Sequence, residues 1–363
     1  MDLGAVERNC GRLRELLTGA TELCAVVKAD GYGHGAVPCA RAALDGGAKW
    51  LAVATAAEAA ELRGAGIDAR LLVMGALTRD DVRTALLADA DVVAWTPELV
   101  AALPDSAGSE RPRVHVKLDS GMGRLGTRDP AEVRELCRTI AADPRLELAG
   151  LMTHFATADE PGDEYFPAQL ARFRELVDEL RGEHPGLIVH AANSAATFRE
   201  PAAHFDMVRC GVAIYGLDPF GEDPAARGLE PALALESYVA AVKRFEAGDG
   251  AGYGQTWRAE APTCVGVLPI GYGDGWRRSL SGNARVLVRG RARPLVGTVS
   301  MDNVTVDLGP DTDVEVGDRA VLIGEQDGER ILAEEVAGRI GTINYEVTCG
   351  LTPRVRRAHR RGR

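Results

Sequence analysis

No stretch of this chain approaches the run of roughly 20 apolar residues that a membrane-spanning helix needs, so no such helix is expected. The N-terminal MDLGAVERNCGRLREL lacks the apolar core of a secretory signal as well, because charges interrupt it at once and its pattern is that of an amphipathic helix. A cytoplasmic protein without leader or anchor is therefore expected. The seven cysteines (10, 24, 39, 137, 210, 264 and 349) include no C-x-x-C pair and are odd in number. This speaks against a disulfide framework and against a thiolate zinc site, and no metal is expected. Positive charge is scarce: 42 Lys and Arg stand against 53 Asp and Glu, a formal charge of -11 that argues against a nucleic-acid surface. The one basic run, RVRRAHRRGR, is the extreme C-terminus and reads as a solvated tail. Internal repeats and low-complexity segments are missing too.

What is present is apolar mass cut into short pieces. A chain of 363 residues, 46% hydrophobic and 26% charged, can bury a large core and is long enough for two domains. Eight strand-like runs alternate with helical patterns: LCAVV (23–27), WLAVA (50–54), RLLVM (70–74), DVVAW (91–95), RVHVKLD (113–119), LELAGLMTH (146–154), LIVHA (187–191) and DMVRCGV (206–212). Each is apolar on both faces, as in a parallel sheet covered by helices. Eight strand-then-helix repeats predict an α/β fold, a (β/α)8 TIM barrel, with an open doubly wound sheet as the alternative. After about residue 230 the texture becomes Val-rich, alternating and divided by Gly, Asp and Pro turns, in segments such as TCVGVLPIGY and NVTVDLG. The expected domains are a barrel over 1–230 and a mainly β domain over 231–363.

In such barrels chemistry gathers where strands end. The first run stops at Lys28 in CAVVKADGYGH. That lysine is either the first solvated residue past a strand or an amine delivered into a cavity, where desolvation makes it a Schiff-base former or general base. The fifth run carries Lys117 and opens into DSGMGRLG with Arg124; the sixth ends on His154. The seventh leads to Asn193 and Ser194, and the eighth holds Arg209 followed by Gly211 and Val212. Each has a plain structural reading: Arg124 a surface charge, His154 a satisfied core histidine, Ser194 a helix N-cap. Five coincidences at five strand ends are a poorer account than one shared site. The loops after strands seven and eight are the usual barrel seat of a phosphate, here offering Ser194 and the Gly211 and Val212 amides. A phosphorylated aldehyde facing a strand-end lysine would explain both features, with pyridoxal phosphate as the candidate cofactor and phosphosugar barrels sharing the same cup.

AVVKADGYGHG resembles the cofactor-lysine motif of alanine racemases. LDSGMGRLG, THFATAD, AANSAATF, VRCGVAIYGLDP, AGYGQTW, PIGYGDG, VGTVSMDNVTVDLG and TINYEV resemble that family's blocks in the same order, across nearly the whole chain. The resemblance implies interconversion of L- and D-alanine with pyridoxal 5'-phosphate, supplying D-alanine for peptidoglycan. Lys28 would carry the cofactor, and Tyr32, Ser194, Gly211, Val212 and Tyr345 would bind its phosphate, with Asn193 beside them. Arg209 would face the pyridine nitrogen, with His154 beside the ring and hydrogen-bonded to that arginine. Arg124, Met301 and Asp302 would lie at the substrate end, and Lys117 matches a lysine often carbamylated in the family. Tyr253 would be the second acid/base group, supplied by the other subunit of a homodimer, since a proton must leave one face of a planar intermediate and return to the other. Taken alone, Tyr253 in GAGYGQTW reads as a turn tyrosine.

Two departures stand out. The chain begins almost at the first barrel helix, so a β-strand that usually precedes it is missing or shortened, leaving a sheet edge to be paired. Ser300 and Asn303 flank Met301 where many members have Cys and Gln, which loosens the inference to strict alanine specificity. The alternatives are a racemase of broader or shifted specificity, such as serine, a decarboxylase of the same architecture, or a non-catalytic pyridoxal-phosphate-binding barrel. Decarboxylases usually set an acidic residue at the pyridine nitrogen, which Arg209 is not, and a lone binding barrel would lack both Tyr253 and a β domain.

Overall fold

The computed structural model describes residues 1–106 and 111–361 and divides into two compact units, Leu3–Phe220 and Gly221–Arg363 with Met1–Asp2. The last two residues of the C-terminal basic run lie outside the described residues. The division falls at Gly221, ahead of the boundary expected from composition at 230/231. The reason is local bonding: Asp223 caps the turn Pro224–Arg227 through Ala225 N–H and pairs with Arg330, far along the second unit.

The first two residues also belong there. The Met1 ammonium donates to Ala358 O at 2.7 Å, Asp2 N–H to Ala232 O at 2.7 Å, and Arg360 N–H to Met1 O at 2.9 Å. Ahead of the first barrel helix, Asp2 forms an isolated parallel bridge with Arg360.

In Leu3–Phe220 the eight apolar runs form eight parallel strands in a closed barrel in chain order. They are β1 (Glu22–Val26), β2 (Trp50–Val53), β3 (Arg70–Val73), β4 (Ala90–Ala94), β5 (Arg113–Lys117), β6 (Glu147–Met152), β7 (Ile188–His190) and β8 (Met207–Cys210). β8 closes on β1 through Leu23 opposite Val208 and Cys24 opposite Arg209, which rules out the open sheet. Both faces of the strands are buried, as their two-sided apolar composition requires.

The helices start where the sequence supplies caps. Thr55 and Glu58 make a reciprocal capping box ahead of Ala56–Gly64, Thr78 and Asp81 do the same ahead of Arg79–Leu87, and Asp129 with Pro130 opens Pro130–Ala142. Each cap satisfies N–H groups the helix cannot, worth about 1 kcal/mol.

The second unit is a mainly antiparallel sheet. Its spatial order is Ala241–Phe245, Thr263–Leu268, Val304–Gly309, Arg291–Val296, Arg285–Val288, Arg319–Gln326 and Glu329–Ile331, and Leu235–Tyr238 also pairs with Arg319–Gln326. Gly250–Ala251 and Trp257–Arg258 pair as a separate short hairpin whose loop holds the turn Tyr253–Gln255.

Candidate active site

Strand β1 does not run on past Val26. Ala29, Asp30, Gly31 and Tyr32 all take positive φ, between 51° and 60°, so the chain after Lys28 coils into one left-handed turn. For the three non-glycine residues this costs about 1–2 kcal/mol apiece. The turn is held by Gly31 N–H to Val27 O (2.9 Å), Gly33 N–H to Ala29 O (3.0 Å) and Ala36 N–H to the Asp30 carboxylate (2.9 Å). Glu58 accepts Ala29 N–H at 2.7 Å. Buried His34 donates from Nδ1 to the carbonyls of Gly31 and Tyr32 and stacks on Tyr215, whose hydroxyl donates to Val26 O. Strain concentrated directly after one lysine, and so heavily braced, marks a candidate site.

The neighbouring strand ends bring the other side chains to the same place. Arg209 is 3% exposed and makes four contacts, none to a carboxylate: His190 Nδ1 at 2.8 Å, Thr153 O at 2.8 Å, Ala191 O at 3.1 Å and His154 Nδ1 at 3.2 Å. Burial pulls its guanidinium down to about 10, so it stays charged at neutral pH. Lys117, also buried, is lowered to about 8 by burial first and then by the charges of Arg209, Arg124 and Lys28. The half-buried His154 ring is pushed well below the imidazole range by burial and by Arg209, Lys117, Arg124 and Lys28. Those mutual influences place five basic groups within electrostatic reach of each other. Asp119 offsets them in part. Burial opposes its ionisation, yet backbone N–H groups of the glycine turn, led by Gly123 and Gly121 at 3.0 Å, hold it below the usual carboxylate range.

Beside this cluster lie the groups expected to form a phosphate cup. Ser194 Oγ accepts Gly211 N–H at 3.1 Å and Ala213 N–H at 3.4 Å, which leaves its own proton to donate. Ser194 is not the helix cap: Asn193 Oδ1 caps Ser194–Arg199 by accepting Ala196 N–H at 2.9 Å. A Cβ on Gly211 would overlap the Tyr32 phenol oxygen, so only glycine lets that hydroxyl approach the Gly211–Val212 backbone. An excess of cations and a cup of donors fit a phosphorylated, doubly anionic ligand with an electrophilic group for Lys28.

The remaining expected residues lie in the second unit and are described within it. Tyr253 is 74% exposed between two positive-φ glycines, 252 and 254, and its carbonyl accepts from Thr298 Oγ1 at 2.9 Å. It lines a cleft with Thr298, Ser300 and Asn303, so the two substituted neighbours of Met301 sit beside this tyrosine. Met301 is exposed, Asp302 pairs with Arg354 at 2.8 Å, and Tyr345 is half-buried in helix Asn344–Cys349. Sequence reasoning missed Thr153, His190 and His34. The available signal for His190 was a polar side chain inside an apolar strand run.

The alanine racemase N-terminal domain profile matches residues 1–219 and the alanine racemase C-terminal domain profile matches 232–359. The alanine racemase of Symbiobacterium thermophilum is 45% identical over 98% of this chain and 95% of that protein. That of Geobacillus stearothermophilus is 42% identical over 98% of this chain and 92% of its own length. The crystal structure of alanine racemase from D-cycloserine-producing Streptomyces lavendulae superposes with a TM-score of 0.93 at 40% identity, covering 100% of this chain and 96% of that one. The Bacillus anthracis alanine racemase, solved with bound L-Ala-P, gives a TM-score of 0.91 at 40% identity over 99% and 94% of the two chains. Matched in both halves and along nearly its whole length, with the strand-end lysine, the buried arginine and the anion cup where the fold puts a site, the chain belongs to the alanine racemase family.

Proposed function

We propose that this chain interconverts L- and D-alanine with pyridoxal 5'-phosphate held through Lys28, and that the product serves peptidoglycan assembly in the cytoplasm. The observations that support the reading are the braced left-handed turn directly after Lys28, the Ser194–Gly211 hydrogen bond just past the neighbouring strand β8, and the charged Arg209 buried in β8 itself. Ser194, Tyr32, the Gly211 and Val212 backbone and Tyr345 would hold the phosphate. When bound, the cofactor draws electrons away from the substrate's α-carbon, so that the proton there can leave.

The protein's own groups then divide the work. Lys28 moves the proton on one face and Tyr253 of the partner subunit on the other, because inversion needs a donor opposite the acceptor. A neutral phenol is a poor base, so a cation must lie near Tyr253 when it acts. Arg209 is a donor without lone pairs, and meets a ring nitrogen only as an unprotonated acceptor. That keeps negative charge at the α-carbon, where the proton returns, and so favours racemisation over transamination. Arg124 would receive the substrate carboxylate, with Met301 and Asp302 at the same end. The exposed Tyr253 and Met301 suit a surface covered by a second copy.

The test is incubation of the purified, pyridoxal-phosphate-loaded protein with each L-amino acid followed by chiral separation, alongside borohydride fixation of the cofactor. D-alanine as the main product and a label on Lys28 are expected. A label on Lys117 would overturn the cofactor assignment, and faster turnover of serine would shift the substrate.

A further inference from the structure

A line of buried polar groups crosses the barrel interior and ends on Arg209. Arg70 and Arg113, at the first positions of β3 and β5, clamp the fully buried Asp91 carboxylate of β4 at 2.9 and 2.5 Å. Asp91 Oδ2 lies 3.0 Å from His115 Nε2 of β5, and His115 Nδ1 lies 2.8 Å from His190 Nε2 of β7. His190 Nδ1 in turn lies 2.8 Å from Arg209 Nη1 of β8. None of the four is more than 3% exposed.

The protons along this line can be arranged in one way only. Arginine has no acceptor, so His190 Nδ1 must offer a lone pair and His190 Nε2 must carry the proton. His115 Nδ1 then accepts, and His115 Nε2 donates to Asp91. The carboxylate at the far end and the guanidinium at the near end therefore demand the same tautomer of both rings between them. Asp91 stays ionised to do so. Burial alone would raise its carboxyl, but His115, Arg113 and Arg70 outweigh burial and hold it below the usual range.

The route depends on a gap in β6. Gly150 pairs opposite His115, and a Cβ on Gly150 would overlap the His115 ring at Nδ1. Only a glycine lets that ring reach past β6 to His190. The pairing of β5 with β6 shifts register at Val114/His115, as a bulge does when it re-aims a side chain. Trp50 of β2 packs edge-on against His115 at 6.0 Å, lies under Arg70 at 4.1 Å and donates to Glu22 at 2.7 Å, which walls the line from water.

We propose that Asp91 and His115 are positioning residues for Arg209: their one-way relay locks the His190 ring with its lone pair toward the guanidinium, which is thereby held in one orientation toward the cofactor. What Arg209 meets rests on the function proposed above; the relay itself does not. In the sequence the three members stand only as isolated polar residues, Asp91 in DVVAW, His115 in RVHVKLD and His190 in LIVHA, with nothing that joins them.

The test uses the full chain labelled with nitrogen-15 histidine, with and without pyridoxal phosphate. His190 and His115 are both expected to show protonated Nε2 and bare Nδ1 in either state. His115→Leu should lower kcat roughly 10-fold or more, the size seen when an outer partner of a site residue is lost. KM for alanine should stay within about 2-fold, because the substrate's own contacts are untouched. His115→Gln, whose amide can accept from His190 and donate to Asp91, should recover most of the rate. Gly150→Ala should behave like His115→Leu, and replaces it if that variant does not fold. A protonated Nδ1 on His190, or equal rates for the Leu and Gln variants, would overturn the relay. Failure to bind pyridoxal phosphate would instead count against the proposed function, with the nitrogen signals still deciding the relay.

Discussion

At the scale of single residues, the site is governed by what burial does to amines. Lys117 is lowered to about 8 by its burial and by neighbouring positive charge, so an uncharged fraction of its amine is present near neutrality. Such an amine can attack carbon dioxide, lose a proton and become a carbamate anion, which would convert one of five crowded bases into a counter-ion for Arg124. Holoenzyme equilibrated with carbon-13 bicarbonate should therefore show one carbamate resonance, absent from Lys117→Ala. The signal should weaken as pH falls from about 9 to about 6, because the protonated amine cannot react. A resonance unchanged in the Ala variant would place the carbamate elsewhere.

The elements add what single residues cannot: a strained turn and a glycine seat that bring side chains from distant strands together. Tyr32 reaches the cup because its backbone is left-handed and because residue 211 has no side chain. Gly211→Ala should push the phenol away and cost one charge-assisted hydrogen bond to phosphate. That amounts to roughly 10- to 100-fold in cofactor affinity, read by fluorescence titration with pyridoxal phosphate. Tyr32→Phe should lose a similar amount. Gly64, at the end of a capped helix with nothing within 4 Å of where an added methyl would stand, is the control; Gly64→Ala should bind normally. If Gly211→Ala also bound normally, Tyr32 would have no part in the cup.

For the whole molecule, the decisive matter is that the two proposed acid/base groups lie in different units of the chain, Lys28 in the barrel and Tyr253 in the β unit. If sites are shared across a homodimer, Lys28→Ala and Tyr253→Phe subunits, each nearly inactive, should complement on mixing. A heterodimer then has one of its two sites with both residues intact, so up to about half its sites recover. If the groups act within one subunit, every site lacks one of them and mixing restores nothing.

By itself the sequence determined the architecture, because strand and helix periodicity are local properties repeated eight times before the texture changes. Lys28, Lys117, Arg124, His154, Ser194 and Arg209 could be read as candidates from their places at strand ends, for the same reason. Boundaries were less legible: composition put the division at 230/231, whereas Asp223 bonds to Arg330 across a sequence gap that no local pattern reports. Ser194 and Asn193, adjacent in the chain, could not be told apart as cup and cap without the backbone amides that each one meets. The left-handed turn after Lys28 was hidden too, since alanine, aspartate and tyrosine do not announce positive φ. The line from Asp91 to Arg209 was decided by tertiary structure alone. Its four members come from four strands, and hydrogen bonds between them exist only once barrel closure and the empty side of Gly150 bring their polar atoms within 3.0 Å of one another.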